Sequence, residues 1–143
     1  MKDINELLQI MVEAGASDLH LKADSAPVIR VNGELSLMDE PPITPDQMKE
    51  HAAALMTDKQ IATFSEHNEI DFAYGTKAVG RFRVNIFRQR GSISIAMRRV
   101  VSEIPGFEEL HLPETLKKLS LEPRGMILVT GTTGSGKTTT LAT

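Results

Sequence analysis

The sequence predicts an α+β domain, an antiparallel sheet with helices, over residues 1–101. A linker over 102–124 and the beginning of an α/β domain over 125–143 follow. Three observations support this division. Apolar residues recur at helical spacing near the N-terminus and alternate in strand fashion between residues 81 and 97. Residues 102–124 contain Pro105, Gly106, Pro113 and Pro123, which is typical of a linker with at most a short helix, here near Glu114. Residues 126–129 are continuously apolar, as in a strand buried on both faces of a parallel sheet.

The first third of the chain predicts one helix and three strands. Ile4, Leu7, Leu8, Met11 and Val12 share one helical face, and Gly15 is a plausible end of that helix. Residues 17–21 alternate as a strand. Residues 28–31 and 35–38 flank Asn32-Gly33, a pair that tolerates positive φ at both positions, so they predict a β-hairpin.

Two helices and three strands are predicted next. Thr44 followed by Pro45 and Gln47 predicts a capped helix through about Met56, and Thr57 with Gln60 repeats the capping pattern. Strands are expected near residues 70–74, from residue 81, and after Gly91. The second strand should place Phe82, Val84 and Ile86 on one face and Arg81, Arg83 and Asn85 on the other. The third should separate Ile93, Ile95 and Met97 from Ser94, Ala96 and Arg98.

Composition narrows the class of protein. The chain is 41% hydrophobic and 24% charged, as expected of a soluble globular protein. It has no cysteine, which excludes disulfides and thiolate metal sites. We see no signal peptide and no membrane-spanning run, so we expect a cytoplasmic protein without direct membrane insertion. The net charge of −3 argues against a general nucleic-acid binder.

The charge is distributed unevenly. No acidic residue lies between Asp71 and Glu103, whereas that interval holds one lysine and six arginines: Lys77, Arg81, Arg83, Arg88, Arg90, Arg98 and Arg99. A positive surface on the last two strands of the first domain is therefore predicted.

Residues 131–138, GTTGSGKT, match the phosphate-binding P-loop (Walker A) pattern G-x-x-x-x-G-K-[ST]. Glycines let successive N–H groups turn toward phosphate oxygens, Lys137 reaches the β- and γ-phosphates, and the Thr138 hydroxyl suits Mg²⁺. A glycine-rich turn that only caps a helix is the alternative, but the apolar run before the loop favours a nucleotide site. The predicted ATP contacts are Gly131, Thr132, Thr133, Gly134, Ser135, Gly136, Lys137, Thr138 and Thr139.

With the segments GASDLHL (15–21), IRVNGEL (29–35) and GRFRVN (80–85), this loop resembles the type IV pilus retraction ATPases of the secretion-ATPase superfamily. The resemblance covers the whole chain. It implies a PAS-like N-terminal domain, a RecA-like motor domain, and an ATP- and Mg²⁺-dependent cytoplasmic hexamer. That hexamer would drive pilus retraction, working with the pilus base machinery at the inner membrane's cytoplasmic face. One departure is Thr132, where the family usually has proline.

The arginines permit three interpretations. Arg88, Arg90 and Arg99 fit a solvated sheet face. A nucleic-acid surface is disfavoured because no aromatic side chains alternate with the arginines. With the resemblance in view, Arg81, Arg83 and Arg98 are candidate catalytic residues alongside Lys137. They would supply positive charge to a nucleotide bound by an adjacent subunit or by the chain's own motor domain.

The remaining candidates are interpreted structurally. Asp18 and His20 have a spacing that metal sites use, but no third ligand is evident, so we expect a hydrogen-bonded pair. His51, His67 and His111 are expected at the surface. The methionines at 11, 38, 48, 56 and 97 are expected to fill the core.

Three functions stay open at this point: a retraction ATPase, a related pilus-extension or type II secretion ATPase, and a non-enzymatic PAS-like sensor or docking module. An N-terminus that begins directly at the first domain favours retraction. The sequence stops soon after the P-loop, so we expect residues 1–143 alone not to hydrolyse ATP. We also expect residues 125–143 to leave apolar side chains exposed, and therefore either to pack against another copy of the chain or to be poorly ordered.

We expect residues 1–143 to bind ATP and Mg²⁺ only weakly, because a base pocket is not evident in the sequence and the loop has little sheet behind it. Isothermal titration calorimetry measures this affinity, with Lys137→Ala as the control variant. Tight binding that Lys137→Ala abolishes would show that the loop alone is competent.

Overall fold

The computed structural model describes residues 2–100, 104–132 and 135–143. The chain divides into two units, residues 1–100 and 101–143. The first unit contains helices α1 (Ile4–Glu13), α2 (Pro45–Leu55) and α3 (Asp58–His67). Its strands are β1 (Asp18–Lys22), β2 (Val28–Val31), β3 (Glu34–Leu37), β4 (Glu69–Thr76), β5 (Gly80–Gln89) and β6 (Ser92–Val100). Each of these elements was predicted from the sequence.

The six strands form one antiparallel sheet in the order β3-β2-β1-β6-β5-β4. Two meanders, β1-β2-β3 and β4-β5-β6, are joined side by side where β1 pairs with β6, from Asp18 opposite Arg98 to Lys22 opposite Ser94. This pairing puts β1 inside the sheet with a neighbour on each side, while β3 and β4 form the edges.

One face of the sheet packs against the helices. Strand alternation directs every second side chain toward this core, and seven of them are at most 1% exposed: Leu19, Leu21, Phe82, Val84, Ile86, Ile95 and Met97. The helices contribute Ile4, Leu7, Leu8, Met11, Met48, Ala52, Leu55 and Phe64 to the same cluster. The facing predicted for β5, and for Ile95 and Met97 of β6, is therefore confirmed. Burying this apolar surface is the main source of stability.

Helix starts and turns follow local chemistry. The Thr44 hydroxyl accepts from the Gln47 backbone at 3.3 Å, and the Gln47 side chain accepts from the Thr44 backbone at 2.8 Å. The predicted capping box of α2 is thus present. Asn32 and Gly33 have φ of 50° and 87°, as the predicted hairpin requires. Arg90 and Gly91, with φ of 51° and 85°, make the corresponding turn between β5 and β6.

The second unit contains α4 (Glu114–Leu119), as predicted, and α5 (Lys137–Ala142). The strand predicted at residues 126–129 is not formed. A strand needs a partner for its backbone groups, and the described residues of this unit offer none. The expected exposure is confirmed: Met126 is 82% and Leu128 75% exposed. Among the described residues, no helix is both long and apolar enough to cross a membrane.

His51 was predicted at the surface, and that prediction was wrong. The side chain lies one turn after Met48 on the buried face of α2 and is 5% exposed. Its Nε2 atom is buried without a hydrogen-bond partner. Burial lowers the pKa of His51, and the opposing charges of Glu50 and Asp3 do not compensate. His67 and His111 are exposed, as expected.

We expect His51 to make the first unit sensitive to acid. Because the folded state favours neutral His51, the unfolded chain binds this proton more readily. Stability should therefore fall as the pH drops below the unfolded value of about 6.5. His51→Gln should flatten the pH dependence of the melting temperature between about pH 8 and 5. The exposed-histidine control, His67→Gln, should not. Equal slopes in the parent and His51→Gln would contradict this assignment.

Candidate functional site

The sheet face opposite the helices carries a row of charged side chains. The strand register places Arg30 of β2 opposite Asp18 of β1, Asp18 opposite Arg98 of β6, and Arg98 opposite Arg83 of β5. Side chains directly opposite one another on one face are close enough to interact. Residues far apart in sequence thus form one line across four strands, and Arg83 and Arg98 lie next to each other in it.

Asp18 is the buried member of this row. It is only 6% exposed. Its Oδ1 accepts from Nε of Arg98 at 2.8 Å, and its Oδ2 accepts from the Ser17 hydroxyl at 2.7 Å and lies 3.4 Å from Nε of Arg30. Burial alone would raise the pKa of Asp18. The hydrogen bonds from Ser17 and Arg98 outweigh burial and hold that pKa below its ordinary value. Asp18 is therefore ionised at neutral pH.

Arg83 makes a different kind of ion pair. Its Nε and Nη2 both donate to the carboxylate of Asp71 on β4, at 2.9–3.3 Å. The hydrogen bond from Arg83 lowers the pKa of Asp71 and in turn raises the pKa of Arg83. Both side chains are exposed, at 69% and 45%. Solvent therefore weakens this ion pair, and another anion can replace Asp71 as the partner of Arg83.

His20 does not pair with Asp18, so that prediction was wrong. The carboxylate of Asp18 is already engaged by Ser17, Arg98 and Arg30, and no hydrogen bond joins it to His20. The Nε2 atom of His20 is instead buried without a partner. His20 lines a shallow pocket of about 190 Å³ whose other walls are Asp18, Asp71, Arg83, Asn85, Ala96, Met97 and Arg98. Within the described ranges, no cluster of three or more acidic or histidine side chains could hold a metal ion.

The remaining arginines of the β5–β6 hairpin lie outside this row of charged side chains. Arg81 is exposed and lies two residues before Arg83 on the same sheet face, opposite Gly75 of β4. Arg88 is exposed as predicted, but its guanidinium also lies 5.4 Å from the centroid of the Phe64 ring. Arg90 occupies the hairpin turn. Arg99 was expected on a solvated sheet face, but it is half-buried opposite the core residue Phe82.

The second unit holds the glycine-rich loop. Gly136, with φ of 85°, caps α5, so Lys137 is the first helical residue. The Lys137 amino group turns back onto the loop and donates to the carbonyl oxygens of Gly131 and Thr132, at 2.9 and 2.5 Å. The exposed Thr138 and Thr139 follow in the first turn of α5. Thr133 and Gly134 lie outside the described residues.

Gly131 is favoured mainly by its backbone conformation. A Cβ atom at this position would lie 2.6 Å from Oγ of Ser135, and its φ of 153° is one that other residues rarely adopt. The Lys137 ammonium group thus lies directly beside the backbone of the loop. These residues fit a phosphate group, because backbone N–H groups and an ammonium are its usual ligands.

Comparison with known proteins decides the family. The model of the type II/IV secretion system protein family matches residues 1–143. The chain belongs to this family. It is 44% identical over 140 residues to the type IV pilus retractation ATPase PilT of Pseudomonas aeruginosa, and 41% identical over 140 residues to the type IV pilus ATPase PilU of the same organism. The resemblance inferred from the four sequence segments is therefore confirmed.

These matches cover 98% of this chain but only 41% of PilT and 37% of PilU. The chain thus spans about two fifths of the length of these curated relatives. A crystal structure of the pilus retraction motor PilT with bound ADP superimposes with a TM-score of 0.81 at 41% identity. The superposition covers 99% of this chain and 42% of the PilT chain in that structure. The antiparallel sheet with helices is shared with that protein.

We expect Asp18→Asn to destabilise the first unit, by about 1–3 kcal/mol, because a buried carboxylate loses charge-assisted hydrogen bonds. Asp71→Asn removes an ion pair from the same face but from an exposed site, so its melting temperature should stay near that of the parent. Thermal and urea denaturation of both variants measures the difference. Equal losses in the two variants would contradict the distinction between the two pairs.

Proposed function

We propose that this chain is the N-terminal part of an ATPase that powers type IV pilus retraction, the function named for its relative PilT. The observation that carries the proposal is the loop in which the Lys137 ammonium group lies among backbone groups of Gly131 and Thr132. Phosphate oxygens of ATP would replace the carbonyl oxygens of these two residues as acceptors for Lys137, and the P-loop pattern is complete. Residues 1–101 would be a PAS-like domain, 102–124 a linker, and 125–143 the start of a RecA-like motor domain.

Each group of loop residues would make a different contact with the nucleotide. Backbone N–H groups of the loop would donate to the phosphates, and Lys137 would neutralise charge on the β- and γ-phosphates. The Thr138 hydroxyl would hold Mg²⁺, which offsets charge on the phosphates when bound. For Lys137 to do this, its amino group exchanges the carbonyl oxygens of Gly131 and Thr132 for phosphate oxygens.

We expect positive charge at the γ-phosphate beyond that of Lys137. Its source would be Arg81, Arg83 and Arg98. Arg83 and Arg98 are cross-strand neighbours on an uncovered sheet face, and their side chains are 69% and 73% exposed. A guanidinium group matches phosphate oxygens with a planar fork of donors. We propose that these arginines meet the γ-phosphate of a nucleotide bound by a neighbouring subunit or by the same chain, in a cytoplasmic hexamer at the pilus base.

The alternatives are less well supported. A non-enzymatic sensor or docking module would use the loop only for nucleotide-dependent regulation, whereas the relatives that match 98% of this chain are named as ATPases. A pilus-extension or type II secretion ATPase would share the P-loop and the sheet. The 44% identity to a protein named for retraction favours retraction over these two.

We expect Arg83→Ala and Arg98→Ala each to lower kcat for ATP hydrolysis in the assembled protein that carries this chain. Arginine fingers in other P-loop enzymes contribute about 10³–10⁵ in turnover. Affinity for ATP should change little, because the P-loop provides ground-state binding. Arg→Lys should also impair turnover, since lysine lacks the planar fork. Steady-state ATPase assays with parallel nucleotide titrations measure both quantities.

Two controls sharpen this experiment. Lys137→Ala should weaken nucleotide binding itself, and Arg90→Ala, at the exposed hairpin turn, should leave both quantities unchanged. Near-parent turnover in both Arg83→Ala and Arg98→Ala would assign these arginines to a solvated surface with no catalytic role.

A further inference from the structure

Arg83 and Arg98 are neighbours on one sheet face, yet their carboxylate partners hold them in different ways. Asp71 engages both Nε and Nη2 of Arg83, so the fork of that guanidinium is occupied. Asp18 engages only Nε of Arg98. Within the described residues, neither Nη group of Arg98 has a hydrogen-bond partner. The amino groups of Arg98 are thus available to a second anion without loss of the first contact.

Asp18, the partner of Arg98, is held more rigidly than Asp71, the partner of Arg83. Asp18 is 6% exposed, and its second oxygen is fixed by the Ser17 hydroxyl and flanked by Arg30. It lies on β1, which pairs with strands on both sides, whereas Asp71 lies on the edge strand β4. A buried carboxylate with both oxygens engaged cannot rotate freely. It therefore fixes the direction of the guanidinium that it holds.

We propose that Asp18 is a positioning residue: it holds the Arg98 guanidinium by Nε so that both Nη groups face the phosphate of ATP. This inference rests on the proposed function. Asp18 does not touch the nucleotide and acts only through Arg98. A preset guanidinium loses less side-chain freedom when the phosphate arrives, and it is already directed at the charge that develops during hydrolysis.

The test measures kcat and KM for ATP in the assembled protein with Asp18→Asn, Arg98→Ala and a control, Asp46→Asn. Asp46 also pairs with a cation, Lys49 at 2.8 Å, but it lies in the first turn of α2. Asp18→Asn should lower kcat by about 10–100-fold, as expected when a catalytic group is displaced but not removed. The KM should stay near the parent value. Asp46→Asn should change neither.

A readout independent of activity separates positioning from structural support. In NMR spectra of residues 1–143, the Nε–H of Arg98 should exchange slowly with water, because it donates to a buried carboxylate. Asp18→Asn should make that exchange fast, and Asp46→Asn should not. If Asp18→Asn does not fold, Asp18→Glu keeps the charge but shifts the carboxylate by one methylene. This variant should give a smaller drop in kcat together with faster Nε–H exchange.

The outcomes distinguish this inference from the proposed function. If Arg98→Ala loses turnover while Asp18→Asn keeps the parent kcat, Asp18 does not position Arg98 and the proposed function stands. If Arg98→Ala turns over normally, the proposed role of Arg98 fails and this inference fails with it. If Asp18→Asn lowers kcat but leaves the Arg98 Nε–H protected, Asp18 acts by another route and the inference is overturned.

Discussion

The pairing of β1 with β6 is the constraint on which the first unit depends. It joins two meanders, each built from neighbouring strands, into one sheet of six strands. It also aligns Leu19 with Met97 and Leu21 with Ile95 on the helix side, where these side chains are at most 1% exposed. The same register sets Asp18 against Arg98 on the other side. A shift of one residue would bury the charges and expose the core.

Because one strand register sets both faces of the sheet, a charged face and an apolar core can occur on the same strands. Strand alternation lets one strand serve both faces, so the residues that stabilise the fold and those that present charge are interleaved in sequence. Phe82 and Val84 flank Arg83 in this way. The fold stability comes from the helix side. The open side can therefore carry exposed arginines at little cost, as long as the carboxylate buried there is fully hydrogen-bonded.

Sequence reasoning was most successful where the physics is local. The helical spacing of Ile4 to Met11, the Thr44–Gln47 capping box and the Asn32-Gly33 turn each depend on a few adjacent residues, and each was predicted. The partners of Asp18 were missed because Arg98 lies far along the chain and only the strand order brings it near. His51 was misplaced for a related reason: it lies at the correct helical spacing from Met48, but a polar side chain was assumed to face water. The strand expected at residues 126–129 depends on partners that the described residues do not provide.

The central claim is that the arginines of the open sheet face meet the γ-phosphate of ATP. NMR of the assembled protein, with nitrogen-15 in its arginine side chains, tests it most directly by comparing ADP with a transition-state mimic, ADP–aluminium fluoride. The account predicts that the Arg83 and Arg98 guanidinium signals shift with the mimic and not with ADP, while the Arg90 signal stays unchanged in both. Identical Arg83 and Arg98 signals in the two states, with the mimic demonstrably bound, would contradict it.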